Sequence, residues 1–116
     1  KAANDAAGDA IVAYIKTLPD RPAPPTQTKA PTGGSTLYET CGSCHGADGR
    51  GIQAMNSPRL KGMSDWYMVT QLKNFRQGVR GGHAKDLYGP QMVSMAAMLT
   101  DDRAIDAVVA HINTLK

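Results

Sequence analysis

An all-α fold is predicted for this chain by three observations. Apolar residues recur at helical spacing in several stretches, no stretch alternates as a half-buried strand would, and proline and glycine gather between the periodic stretches. At 116 residues the chain has room for one core of ordinary size and not for two.

The elements follow in order. Asp5 to Leu18 reads as a helix with Ile11, Val12, Ile15 and Leu18 on one face. Pro19, Pro22, Pro24, Pro25 and Pro31 then put five prolines into thirteen residues, which excludes a regular helix and predicts an extended linker ending at Gly33-Gly34. Ser35 is the expected N-cap of a helix running through Leu37 and Tyr38 into Cys41. A glycine-rich loop from Gly46 to Gly62 follows. Ser64 or Asp65 is expected to cap a helix over Trp66–Gln77, closed by Gly78. Arg80 to Pro90 reads as irregular and Gln91 to Met98 as a short helical piece. Thr100 or Asp101 opens the last helix, Arg103–Leu115, with Ile105, Val108, Val109, Ile112 and Leu115 on its buried stripe.

The first and last helices are alike. Laid over Asp102–Leu115, the segment Asp5–Leu18 is identical at nine of fourteen positions. Two alanine-rich amphipathic helices can converge by accident. The sharper expectation is that residues 1–18 are the closing helix of a preceding, homologous domain, residues 19–34 a Pro-rich linker, and residues 35–116 the functional domain.

Composition narrows the function. Hydrophobic residues make up 41% of the chain but aromatics only 5%, a thin supply for a self-sufficient core that a buried apolar cofactor would supplement. The formal charge is +3, and the basic residues (Lys29, Arg50, Arg59, Lys61, Lys73, Arg76, Arg80, Lys85) are scattered, which argues against a nucleic-acid footprint. No apolar run approaches the roughly 20 residues of a membrane-spanning helix, and no signal-peptide pattern is present.

The decisive motif is Cys41-Gly42-Ser43-Cys44-His45, which fits the C-x-x-C-H pattern of c-type haem attachment. Two thiols three residues apart on a helical turn can reach the two vinyl groups of one haem, and the adjacent histidine is aimed at the iron. A thioredoxin-like pair needs a βαβ setting that this chain lacks. A zinc site needs about four ligands, and only the distant His83 and His111 could join. Covalent attachment of haem takes place outside the cytoplasm, so the motif also predicts a periplasmic or otherwise extracytoplasmic location.

Around this motif the chain resembles the class I cytochrome c family, over about Ser35 to Leu115. The resemblance is carried by Cys41–Gly46, by Tyr67, Gln71-Leu72, Phe75-Arg76, Gly78 and Arg80-Gly81, by Tyr88-Gly89-Pro90-Gln91-Met92 with Met95-Ala96, and by the closing helix. It implies helices packed around one haem c, bound through Cys41 and Cys44, with His45 as one axial ligand. The second ligand must come from the C-terminal half, where Met92, Met95 and Met98 recur at helical spacing; the resemblance selects Met92. It also implies that the Pro58 carbonyl accepts a hydrogen bond from the proximal imidazole, and that Leu60, Tyr67, Leu72 and Phe75 line the haem or the packing around it. Trp66, Arg59 and Arg80 are candidates for the propionates. Similar domains occur as halves of dihaem cytochromes and fused to oxidase subunits, so redox proteins or other domains of a longer protein are the expected partners.

The expected function is outer-sphere transfer of single electrons, since His45 and Met92 together leave no open iron position. The alternative is a ligand-binding, sensor or peroxidase-like haem domain, which needs a labile distal site. Ligation by His83 in place of Met92 would lower the potential, because a thioether favours reduced iron.

Overall fold

The computed structural model describes residues 3–29 and 31–115; Lys1, Ala2, Ala30 and Lys116, at the ends of the expected segments or within the Pro-rich stretch, lie outside them. Among the described residues five α-helices follow one another: α1 (Ala3–Ile15), α2 (Gly34–His45), α3 (Asp65–Arg76), α4 (Gly89–Ala96) and α5 (Asp102–Asn113), with a 3-10 turn at Gln53–Met55. No strand occurs among the described residues, where one isolated bridge pairs Ile52 with Ser57.

The core is built on α5. Its side chains at helical spacing, Ile105, Val108, Val109 and Ile112, are buried together with Tyr38 of α2, Met68 of α3 and Leu99, and Leu37, Cys41, Leu60 and Leu72 pack against them. Asp101 caps α5, its carboxylate accepting the Ala104 N–H at 2.8 Å. Arg76 ties the end of α3 to the start of α5, donating to the Leu99 carbonyl at 3.2 Å and to Asp102 at 2.7 Å. The guanidinium of Arg76 and the nearby Lys73 ammonium hold the Asp102 carboxyl below its ordinary range.

Helix α2 begins at Gly34, two residues before the start that a Ser35 cap would set, and no side chain caps it. The reason lies in packing. A Cβ on Gly34 would fall on the Ala107 carbonyl, so the bare glycine lets α2 and α5 cross at backbone distance. Helix α3 starts at Asp65 and α4 at Gly89, two residues earlier than the expected Gln91, with Pro90 in its first turn, where a missing N–H costs nothing.

The described residues of the Pro-rich stretch form no helix, and the stretch is fastened to the domain. Ala23 N–H donates to the Gly62 carbonyl at 3.1 Å, and the Gln27 side-chain amide donates to the Asp106 carbonyl at 3.1 Å. Asp65, only 1% exposed, receives the Thr26 N–H and hydroxyl at 2.6 Å each and the Gln27 N–H at 3.1 Å. Burial opposes the charge on Asp65, but donors from Thr26, Gln27 and Trp66 outweigh it and hold the carboxyl below the usual carboxylate range. With the folded value depressed, this contribution to stability is fully present above about pH 4 and is lost as pH falls through the lowered pKa.

Helix α1 differs from α5 in the exposure of its apolar face. Ile11, Val12 and Ile15 are 61, 50 and 55% exposed, whereas their counterparts Val108, Val109 and Ile112 are 1, 0 and 4% exposed. The same stripe is buried in one helix and bare in the other.

Gly34→Ala is expected to lower stability by about 3 kcal/mol, because neither backbone at the α2–α5 crossing can give way. Gly8→Ala, with open space around it, should be neutral or slightly stabilising. Urea unfolding checks both: the midpoint should fall sharply for the first and hold for the second.

Candidate haem-binding site

Cys41, Cys44 and His45 occupy the last turn of α2. Both cysteines are half-buried free thiols, and burial, more than the neighbouring Cys44, pushes the Cys41 thiol up from its ordinary pKa.

The loop after α2 turns back to serve the histidine. His45 is buried at 6% exposure, and its Nδ1 lies 2.7 Å from the Pro58 carbonyl oxygen. A carbonyl can only accept, so Nδ1 carries the proton and donates it. In the neutral ring Nε2 is then left with its lone pair. Nε2 makes no hydrogen bond among the described residues, and it is not sealed in, because every fully buried side-chain nitrogen or oxygen there has a partner. This is the donor a metal ion requires, already oriented.

Glycines shape that loop. Gly51 has φ +81°, its N–H donates to the His45 carbonyl at 2.7 Å, and a Cβ there would meet the backbone of Ser57, Pro58 and Arg59 at 2.7–2.8 Å. Only a residue without a Cβ lets Pro58 approach the histidine. The Gly49 carbonyl accepts from the N–H groups of Leu60 and Lys61 at 2.8 and 2.9 Å, closing the loop. Tyr38, buried and 5.3 Å ring to ring from His111, donates its hydroxyl to the Gly46 carbonyl at 2.8 Å, directly after the histidine. Pro58 is a candidate from sequence, whereas Gly51 and Tyr38 emerge only from the structure, the Gly46-x-x-Gly49-x-Gly51 spacing being their one sequence signal.

The other candidate ligands separate clearly. Met92, in the first turn of α4, is half-buried and lies close to His45, whereas Met95 and Met98 are 37 and 57% exposed. Two glycines set the approach of α4: a Cβ on Gly81 would meet Val93 and the Gly89 carbonyl at 2.6 and 2.8 Å, and Gly89 donates its N–H to Asp86 at 2.7 Å. His83 is exposed, its Nδ1 accepting the Lys85 N–H at 3.0 Å. His111 is occupied against Tyr38. Nowhere among the described residues do three His, Cys, Asp or Glu side chains converge as a zinc site would require.

Of the expected lining, Leu60 and Leu72 are partly buried against the core and Phe75 is buried, its ring covered by the Arg80 guanidinium at 4.6 Å. Tyr67 is 40% exposed and stands edge-on to Trp66, which is 60% exposed. Arg80 also donates to Gln71 at 2.8 Å, and Arg59 to the Lys61 carbonyl at 3.1 Å. A cleft of about 600 Å³ joins the proximal loop to the region before α4, lined by Arg50, Gly51, Pro58 and Arg59 on one side and Tyr88 on the other.

The family model "Cytochrome c" matches residues 32–116. The chain belongs to the cytochrome c family. Membership implies one covalent haem c, and Cys41 and Cys44 stand at the attachment positions with His45 beside them. This cytochrome c domain is similar to the thiosulfate dehydrogenase electron acceptor of Stutzerimonas stutzeri (strain A1501), 36% identical over 83 residues that cover 72% of the chain and 35% of that protein. It is also similar to cytochrome c4 of Stutzerimonas stutzeri, 32% identical over 72% of the chain and 40% of that protein, and to cytochrome c-554(548) of Halomonas halodenitrificans, 37% identical over 63% of the chain and 82% of that protein. The chain thus spans well under half the length of the first of these relatives. No helix among the described residues is long and apolar enough to cross a membrane.

Gly51→Ala should displace the Pro58 carbonyl from His45 and cost about 2 kcal/mol more than Gly78→Ala, which shares a positive φ but has open space around it. Chemical denaturation of the two variants side by side checks this, with the yield of haem-loaded protein falling only for Gly51→Ala.

Proposed function

We propose that this cytochrome c domain is a one-electron carrier whose haem iron is held between His45 and Met92. The observation that carries the reading is the His45–Pro58 hydrogen bond, which leaves Nε2 free beside the two attachment thiols. Bound haem supplies an iron that changes charge by one unit without making or breaking bonds. The chain's own residues do the rest. His45 donates from a ring fixed by Pro58, which raises its basicity. Met92 offers a soft thioether from the first turn of α4, favouring the reduced state. Leu60, Leu72 and Phe75 exclude water from the site, and Tyr67 stands at its margin.

The domain is assigned to the periplasm, where covalent haem attachment is completed. Helix α1 is read as the closing helix of a preceding homologous domain. Its likeness to α5, its bare apolar stripe and the greater length of several relatives all support a tandem. Physiological partners would then be redox proteins that meet the haem cleft, or the neighbouring domain itself. Electron-acceptor and oxidase-subunit relatives support that class of partner.

Met92→Ala tests the ligand pair. The variant is expected to lose the near-infrared methionine–ferric absorption and to fall in potential by roughly 0.1–0.2 V, a fraction of the ~0.8 V that axial ligation spans. Met95→Ala and Met98→Ala should keep both. Survival of the band in Met92→Ala would refute the assignment.

A further inference from the structure

We propose that the Pro-rich strap is a positioning element for the haem site, with Asp65 as its anchor, acting through the segment 58–65 on the carbonyl that holds His45. The inference rests on the reading of His45 as an iron ligand. It differs from the view of residues 19–34 as a passive tether in where the strap is attached.

Apart from the Gln27 side-chain amide, which donates to the Asp106 carbonyl of α5, the attachment points follow one another along one short segment. Asp20 lies 3.8 Å from Arg59, Ala23 bonds the Gly62 carbonyl, and Thr26 and Gln27 bond Asp65. That segment starts at Pro58, the residue whose carbonyl accepts from His45. The strap therefore grips the far side of the peptide run that orients the ligand. Between the Arg59 and Gly62 contacts the same run is also held by Gly49, whose carbonyl accepts from Leu60 and Lys61.

Asp65 is the strongest of these points. It is 1% exposed and takes its bonds from residues 38 and 39 positions away, as well as the Trp66 N–H at 2.7 Å. A buried carboxylate with several donors forms short, charge-assisted bonds that lose most when one partner is removed. Releasing it loosens the strap, leaving the Ala23–Gly62 and Gln27–Asp106 bonds to hold it, and gives Pro58 room to move. A longer His45–Pro58 bond makes the imidazole a poorer donor, which disfavours ferric iron relative to ferrous.

The test uses the haem-loaded chain with Asp65→Asn and, in case that variant folds poorly, Thr26→Val, which removes one donor and leaves the carboxylate. Amide hydrogen exchange at Ala23, Thr26 and Gln27 should quicken about tenfold, matching loss of one charge-assisted bond. The haem methyl resonances of the ferric state, which report ring orientation, should shift. The reduction equilibrium should move about threefold toward the ferrous form, about 28 mV at 59 mV per tenfold. Arg76→Gln, which loosens the α3–α5 tie but not the strap, should lower stability and leave the resonances and the potential in place. Faster exchange with unmoved resonances and potential would overturn the proposal, and so would unchanged exchange. If the unsubstituted protein lacked a histidine-ligated low-spin spectrum, the ligand reading itself would fall, and the proposal with it.

Discussion

The hydrogen bond from His45 to the Pro58 carbonyl decides which imidazole nitrogen is available, and the rest of the structure is arranged to make it. It requires a loop that leaves α2 and comes back within thirteen residues. The return is possible because Gly51 has no side chain where Pro58 must pass. The departure is fixed by Tyr38, which holds the Gly46 carbonyl from inside the core. Tyr38 is in turn held by the α2–α5 crossing, and that crossing depends on Gly34 meeting Ala107. Core packing and ligand orientation are thus one continuous chain of contacts.

The same economy governs the placement of Met92, the proposed second ligand. Met92 is carried on a helix of two turns, too short to be stable alone. It is placed by contact with α3 and by the close approach of Gly81 to Val93 and Gly89. Close approach of backbones, rather than bulky packing, is how a chain with 5% aromatics brings these elements together. These are short elements whose order depends on neighbours, so the site and the core should lose structure together.

Much of this was legible in the sequence. The buried stripe of α5 follows directly from its 3.6-residue periodicity, and Cys41, Cys44 and His45 announce their chemistry by spacing alone. Boundaries were less legible. Ser35 has the chemistry of a cap, but helix–helix contact at Gly34 sets the start of α2, and no local signal reports a contact with a residue 73 positions away. Asp65 likewise looks like an N-terminal helix residue, yet its carboxylate is committed to a strap that is 38–39 residues distant in sequence. The Pro-rich stretch shows its lack of helix in its composition, whereas its anchorage depends on partners that composition does not reveal. The bare stripe of α1 is the converse case: the pattern for burial is present, and the surface that would cover it is not part of the described fold.

The proposed chemistry of this domain depends throughout on a cofactor joined by two thioether bonds to the C-terminal end of α2. Intact-mass measurement on protein matured in a periplasm competent for haem attachment addresses that claim most directly. The expected mass is that of the polypeptide plus one haem, unchanged after acid denaturation and solvent extraction. A bare polypeptide mass, or a haem that extraction removes, would contradict it.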